Sequence, residues 1–147
     1  MAECVTYGGR VVDYANPSTT EVDYLDLQVH LSRICRYGGA VDFTVLQHLA
    51  LCAMLAKPHG VITQGYAAAH DLHEAYIGDM AKPIIKGTIL WEPWMTLESV
   101  WMAHVHTQLG LPWPPPEQVT SIVKAIDRRC LYIETTVCGA PEALREH

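Results

Sequence analysis

The sequence lacks long hydrophobic runs and carries few basic residues. No apolar run approaches the ~18 residues that a membrane span requires, and the chain begins without the basic segment of a secretory signal. Ten Lys and Arg stand against sixteen Asp and Glu, which gives a formal net charge of −6. That balance argues against a polymeric nucleic-acid ligand, because such binding depends on cationic residues that neutralise phosphates. We therefore expect a cytoplasmic protein whose partners include neither a membrane nor a polymeric nucleic acid.

Closely spaced cysteines are also missing. The five cysteines are odd in number, widely separated and form no Cys-x-x-Cys motif, so they predict ordinary buried or half-buried thiols in a reducing compartment. The eight histidines are a better guide to function, because metal sites and acid–base sites both draw on imidazole groups.

The apolar residues follow helical spacing, and strand patterns are nearly absent. Helices are predicted over about 25–36, 43–56, 62–77, 93–109 and 116–137. Residues 7–16 favour a short hairpin or an extended arm. We predict one all-α domain over 1–147, a bundle of about five to six helices. Its N-terminal arm covers about 1–22, and a loose tail covers about 139–147.

The third predicted helix carries the run His70-Asp71-Leu72-His73-Glu74. On a continuous helix His70 and Glu74 lie one turn apart on the same face, and Asp71 lies at its edge. An imidazole next to a carboxylate can ligate a cation. The alternative is a surface helix whose polar side chains are simply solvated. Asp79 follows the helix end, where a carboxylate meets the negative pole of the helix dipole, and a nearby cation or substrate would explain it.

Further ligands for such a site must come from other helices. His48 lies among apolar residues of the second predicted helix, where an unpaired imidazole would be destabilising. The alternative for His48 is a core histidine bonded to a backbone carbonyl. Asp127 lies beside the apolar stripe of the last predicted helix. The alternative for Asp127 is an ion pair with Lys124 or Arg128.

The order of these residues resembles a known signature. His48, His70-Asp71 and Asp127 are similar to the H…HD…D signature of the HD-domain phosphohydrolases, a family of all-α enzymes. The string from His70-Asp71 through Gly78-Asp79 to Pro83 resembles the small bacterial and phage branch that hydrolyses deoxynucleotides. The segments around Arg36 and around Gly9-Arg10 resemble the same branch, so that the similarity spans residues 8 to about 134.

The resemblance implies one divalent metal ion with the ligands His48, His70, Asp71 and Asp127. Two imidazoles and two carboxylates suit Co, Mn, Zn, Ni, Fe or Mg, and they leave room for water and a phosphate oxygen. Further Mg could accompany a triphosphate. The resemblance also places Glu74 and Asp79 at the reacting centre as catalytic groups, namely a general acid or base and a partner of the sugar hydroxyl or of water.

The resemblance also implies substrate contacts. It places Arg36 on the phosphates, which the fork of its guanidinium suits, and Tyr37 beside the sugar, where it would disfavour a ribonucleotide. Lys82 and Lys86 are weaker phosphate candidates, because Lys86 is one residue away from the expected spacing. The chain departs from its relatives at Tyr37, where they have a bulkier aromatic residue, and at Leu49, where they have serine.

The function implied is a metal-dependent deoxynucleotide phosphohydrolase. We expect a dATP triphosphohydrolase that releases triphosphate and the deoxynucleoside, in a homo-oligomer, in the host cytoplasm if the gene is carried by a phage. The first alternative is a 5′-deoxynucleotidase that releases phosphate from deoxynucleoside monophosphates. The second is a non-catalytic nucleotide-binding HD module that regulates a partner.

Three further histidines, His30, His59 and His147, are predicted to be solvated. His104 and His106 are two positions apart on a helix and face away from each other, which disfavours joint ligation. The tryptophans are predicted to pack the fourth helix and the proline-rich turn, with a minor alternative of base stacking or a subunit contact for two of them: Trp91 and Trp94.

Overall fold

The computed structural model describes residues 3–138, and most of them are helical. The elements in chain order are β1 (Glu3–Val5), β2 (Val11–Asp13), α1 (Tyr24–Leu31), α2 (Val45–Ala56), α3 (Val61–Ala69), α4 (Glu74–Ile77), α5 (Lys82–Ile85), α6 (Trp91–Gln108) and α7 (Glu117–Val137). The predicted all-α class is confirmed: five helices have eight or more residues within this part of the chain, and α4 and α5 are single turns. The predicted tail at 139–147 lies outside the described residues.

The N-terminal arm forms a hairpin, which is one of the two predicted forms. β1 and β2 pair antiparallel, with Cys4 opposite Val12. The turn between them passes through Gly9 at φ +79°, a conformation that favours glycine. Gly8 donates its backbone N–H to the buried Asp26 carboxylate at 2.7 Å, which attaches the hairpin to α1.

The first helix is shorter than predicted. α1 is capped by the Asp23 side chain and ends at Leu31, not near residue 36. Beyond α1 the chain pairs with the segment before α2, where the Arg36 N–H donates to the Phe43 carbonyl at 2.8 Å. The apolar spacing of Leu31 and Ile34 fits a helix, but these bonds between segments replace the helical ones. Arg36 therefore lies on an extended segment that leads into a 3-10 turn.

α2 is the central helix of the bundle. It begins at a capping box, in which Thr44 and Gln47 each bond the other's backbone N–H. Its buried face packs against α3 and α7, and it carries the fully buried His48. One part of the core surrounds Trp101 of α6, and a second part lies between α2, α3 and α7 around Cys52.

The third predicted helix is interrupted at its functional run. A single helix over 62–77 was predicted, but α3 ends at Ala69 and α4 begins at Glu74. The residues between them form a tighter turn with i→i+3 bonds: Leu72 N–H donates to the Ala69 carbonyl and Glu74 N–H to the Asp71 carbonyl, both at 3.1 Å. The prediction that His70 and Glu74 share one continuous helical face was therefore wrong.

The last two helices agree with the predicted segments to within two residues. The proline-rich turn between them lies against α3, because the Tyr66 hydroxyl donates to the Pro112 carbonyl at 2.5 Å. Its Trp113–Pro114 peptide bond is cis. Among the described residues, none of the helices combines the length and the hydropathy of a membrane span.

Candidate metal centre

Four side chains from three separate parts of the chain meet at one point. His48 lies on α2, His70 and Asp71 lie in the turn after α3, and Asp127 lies on α7. His48 Nε2 is 3.1 Å from His70 Nε2, 3.5 Å from Asp71 Oδ2 and 3.3 Å from Asp127 Oδ1. His70 Nε2 is 3.3 Å from Asp71 Oδ2 and 3.9 Å from Asp127 Oδ1. The structure thus brings together all four residues that the sequence predicts as metal ligands.

The hydrogen bonds of the two imidazoles fix which nitrogen faces the centre. His70 Nδ1 lies 2.9 Å from the Ala67 carbonyl and His48 Nδ1 lies 2.5 Å from Glu134 Oε1, so each Nδ1–H has an acceptor. In neutral rings both Nε2 atoms are then acceptors, and they face each other beside two carboxylates. Four acceptors this close require a shared cation, which is either a proton or a metal ion. The set of two nitrogens and two oxygens suits a divalent transition metal.

Glu134 is the residue that holds this arrangement in place. It is 1% exposed on α7 and accepts hydrogen bonds from His48 Nδ1, Arg36 Nε at 3.0 Å and the Tyr37 hydroxyl at 2.7 Å. A carboxylate on the outer nitrogen of a metal-binding imidazole orients the ring and raises its basicity. The sequence analysis missed Glu134. The signal was its position seven residues after Asp127, which is two helical turns along the same face.

Cys52 is a second residue that the sequence analysis did not assign to the site. Its Sγ lies 3.6 Å from His48 Nε2 and donates to Cys130 Sγ at 3.2 Å. His48, Cys52, His70 and Asp127 each offer one ligand atom, all within 4.8 Å of one another, so this group could hold a metal ion. The hydrogen bond to Cys130 and burial both raise the pKa of Cys52, which keeps it a protonated, weak ligand.

The charges at the centre are strongly coupled. Burial opposes a charge on His48, but the Asp127 and Glu134 carboxylates outweigh it and raise the pKa of His48 to about 9. Burial also opposes the charges on Asp71 and Asp127, yet the neighbouring imidazoles hold the pKa of each carboxyl below its usual range. Both carboxylates are therefore ionised at neutral pH, and a metal ion that binds here displaces a proton from His48.

The two predicted catalytic acids lie next to this centre. Glu74 begins α4 and is 8% exposed, and its Oε2 has no hydrogen-bond partner among the described residues. Burial, followed by the negative charges of Asp71 and Asp79, raises the pKa of Glu74 to about 10. Burial and Asp71 also raise the pKa of Asp79, although the Arg36 charge opposes them. A carboxyl with a pKa as high as that of Glu74 holds a proton near neutral pH, which is typical of general acids.

The predicted substrate contacts fall into two groups. Arg36 lies between Glu134 and Asp71, with Nη1 3.6 Å from Asp71 Oδ2, and Tyr37 adopts φ +57° with its hydroxyl on Glu134. Lys82 lines a pocket beside the centre, whereas Lys86 is exposed and is not among its lining residues. Roles for these four residues in substrate binding stay predictions.

That pocket has a volume of about 230 Å³ and includes three of the four metal-ligand candidates. Its lining residues are Tyr66, His70, Asp71, Lys82, Met102, His106, Trp113, Pro115, Val119, Thr120, Val123, Lys124 and Asp127. The sequence analysis interpreted Trp113 as packing and gave His106 no role. His106 lies near the end of α6, whereas the position of Trp113 depends on the turn between α6 and α7, which periodicity does not predict.

The chain is similar to a curated protein of Escherichia coli. It is 28% identical over 139 residues to the "Uncharacterized protein YfdR" of Escherichia coli (strain K12), an alignment that covers 91% of this chain and 75% of the relative. No protein-family model matches the chain.

Proposed function

We propose that the chain is a divalent-metal-dependent phosphohydrolase of the HD-domain type that acts on deoxynucleotides. The observation that carries this proposal is the convergence of four acceptor atoms from His48, His70, Asp71 and Asp127 around one point. Their order along the chain is that of the HD-domain signature. Convergence of ordered ligands from distant segments is much stronger support than a His-Asp pair alone.

When bound, the metal ion would act as a Lewis acid on a phosphate oxygen and orient the attacking water. The protein's own contribution is to hold the ligands with little freedom. Glu134 fixes the His48 ring, and the Ala67 carbonyl fixes the His70 ring. Arg36 lies 3.6 Å from the Asp71 carboxylate and bonds to Glu134, so it links a metal ligand to the group that orients another.

Glu74 has the properties of a proton donor. Its burial and its acidic neighbours keep it protonated near neutral pH, and its Oε2 has no hydrogen-bond partner among the described residues. In the proposed reaction, water adds to the α-phosphorus of dATP and the bond from that phosphorus to the 5′-oxygen breaks. The oxygen takes a proton, and the products are triphosphate and deoxyadenosine. Glu74 or Asp79 supplies that proton and the other group receives one from water.

Product analysis tests this proposal. The full chain is incubated with dATP and, separately, with dAMP in the presence of Mn²⁺, Co²⁺, Zn²⁺ or Mg²⁺, and the products are separated by chromatography. Triphosphate and deoxyadenosine from dATP are expected. Phosphate from dAMP alone would instead identify a 5′-deoxynucleotidase. Tight nucleotide binding without product would contradict both activities and favour a non-catalytic module.

An alanine variant distinguishes hydrolysis at the metal centre from hydrolysis by a contaminating enzyme. Asp127→Ala removes a ligand and is expected to abolish hydrolysis with helicity retained. Glu117→Ala, at the exposed start of the same helix, is the matched control and should be fully active. Activity of Asp127→Ala at the unmodified level would contradict the assignment of the centre.

The expectation of a homo-oligomer stays a prediction, which light scattering checks.

A further inference from the structure

The pocket beside the metal centre has walls that phosphate chemistry does not need. Three of its lining residues, His70, Asp71 and Asp127, belong to the centre itself, so a ligand held there extends directly into the pocket. The remaining walls are mostly aromatic and aliphatic. A small polar substrate such as inorganic phosphate or a polyphosphate would gain nothing from such walls.

One wall is an aromatic group of three rings. The Tyr66 and His106 rings lie nearly parallel, with centroids 6.0 Å apart and planes at 20°. The Trp113 ring lies 4.7 Å from His106. The Tyr66 hydroxyl is used internally, because it donates to the Pro112 carbonyl and holds the turn that carries Trp113 against α3. Rigid aromatic walls of this kind suit a flat conjugated ring system.

A second group of lining residues comes from one face of α7. Val119, Thr120 and Val123 follow the helical spacing that also brings Asp127 to the centre, and Met102 of α6 lines the pocket as well. A volume of about 230 Å³ leaves room for a heterocyclic base.

His106 gives the pocket one directional polar group. Its Nδ1 lies 2.8 Å from the Met102 carbonyl, which can only accept, so Nδ1 carries the hydrogen and Nε2 is the acceptor. Burial lowers the pKa of His106, which keeps the ring neutral. An acceptor among apolar walls favours a ligand with an N–H group and disfavours one with a carbonyl oxygen at the same place.

We propose that this pocket binds the base of the nucleotide substrate and that His106 selects bases with an exocyclic amino group. The inference rests on the proposed function, because a substrate phosphate at the centre sets the position of the base. Lys82 and Lys124 also line the pocket, and their ammonium groups offset the phosphate charge beside it.

Nucleosides test the pocket without any phosphate. Calorimetry measures binding of 2′-deoxyadenosine to the full chain and to Thr120→Trp, in which the larger side chain fills the pocket. Loss of at least tenfold in affinity is expected for Thr120→Trp. Ser121→Trp, at the exposed neighbouring position on α7, is the matched control and should bind like the unmodified protein. If Thr120→Trp loses helicity, Met102→Trp fills the same pocket from α6.

A second comparison tests His106. Deoxyinosine differs from deoxyadenosine by a carbonyl in place of the amino group and by a hydrogen on N1. With its carbonyl oxygen facing the His106 acceptor, it is expected to bind about tenfold more weakly. His106→Phe keeps the ring and should remove that difference. Equal affinities of the two nucleosides for the unmodified protein would overturn the role of His106.

The outcomes separate this inference from the proposed function. Hydrolysis of dATP at the full rate by Thr120→Trp would overturn the pocket assignment and leave the phosphohydrolase intact. Nucleoside binding that is lost in Thr120→Trp, in a protein that hydrolyses no nucleotide, would support the pocket and overturn the hydrolase.

Discussion

At the scale of single residues, Glu134 shows how a buried carboxylate can hold the side chains of the candidate centre in position. Its three partners, His48, Arg36 and Tyr37, all donate hydrogen bonds to it. Removing one member of a buried charged network leaves the others uncompensated, which is far more destabilising than losing a surface pair. The carboxylate therefore links the geometry of a metal ligand to the segment that carries Arg36.

Glu134→Gln tests this role with little change in shape. The amide nitrogen of glutamine would face a donor, either His48 or Arg36, so one of these bonds is lost. Because outer carboxylates orient metal-binding imidazoles, we expect metal affinity to fall about 10- to 100-fold. Calorimetric titration with Mn²⁺ measures it. Glu117→Gln on the exposed first turn of α7 is the control, and an unchanged affinity in Glu134→Gln would contradict the orienting role.

Glu74→Gln should stabilise the folded protein at high pH and slow hydrolysis. The pKa of Glu74 is raised from 4.5 to about 10 in the folded state, so between these values the folded protein holds a proton that the unfolded chain releases. The folded state is therefore destabilised as pH rises through this range, by up to about 1.4 kcal/mol per pH unit. Glutamine cannot ionise and removes this dependence.

The measurement is urea unfolding of metal-free protein from about pH 6 to about pH 9. The free energy of unfolding of Glu74→Gln should exceed that of the unmodified chain by an amount that grows with pH. In a separate assay with metal, Glu74→Gln should hydrolyse the nucleotide about 10²- to 10⁴-fold more slowly, because proton transfer is lost. Glu92→Gln, an exposed residue of α6, should show neither effect. A constant stability difference across this pH range would show that Glu74 is ionised in the folded state.

At the scale of elements, periodicity predicted the long helices but not the turns that form the site. α2, α6 and α7 agree with the predicted segments to within about two residues, because the spacing of apolar residues within each helix is enough to predict it. The end of α1 and the break after Ala69 were missed, because apolar spacing does not reveal where bonds to a neighbouring segment or i→i+3 turns replace the helical bonds. The position of Trp113 was missed for the same reason.

The candidate metal ligands were predicted for a different reason. Their order along the chain matched a family pattern, which needs no knowledge of turns. Glu134 and Cys52 carried only helical spacing as a signal, and spacing does not reveal that a buried carboxylate or thiol faces a site. Sequence patterns thus predicted the four residues that converge at the candidate centre and missed Glu134 and Cys52 beside them.

Two glycines next to the site should respond oppositely to alanine. Gly65 lies inside α3, and an added Cβ would meet the Leu111 side chain at 3.7 Å, an ordinary contact. Gly65→Ala should therefore raise the free energy of unfolding by about 0.5–1 kcal/mol. Gly78 ends α4 at φ +83°, so Gly78→Ala should lower it. Urea unfolding of both variants checks this, and destabilisation by Gly65→Ala would indicate closer packing of α3 against the turn.

At the scale of the whole molecule, the candidate centre joins segments that are far apart in sequence. His48, the turn at 70–71 and Asp127 come from three separate helical regions that meet at the candidate centre. In the metal-free state a proton on His48 and the Arg36 guanidinium beside Asp71 relieve the mutual repulsion of the acceptors. A metal ion that binds the folded arrangement and not the unfolded chain should therefore stabilise the whole bundle.

Thermal unfolding with and without metal measures this coupling. At a free metal concentration of 100 times the dissociation constant, the linkage amounts to about 2.7 kcal/mol, which for a chain of this size raises Tm by about 5–10 °C. Since the pKa of His48 is about 9 and metal binding displaces its proton, metal affinity and the Tm shift should decrease as pH falls below that value. Asp127→Ala should lose the shift at every pH, and Glu117→Ala should keep it. A shift of equal size in Asp127→Ala would show that the stabilising metal does not depend on Asp127 and binds at another site.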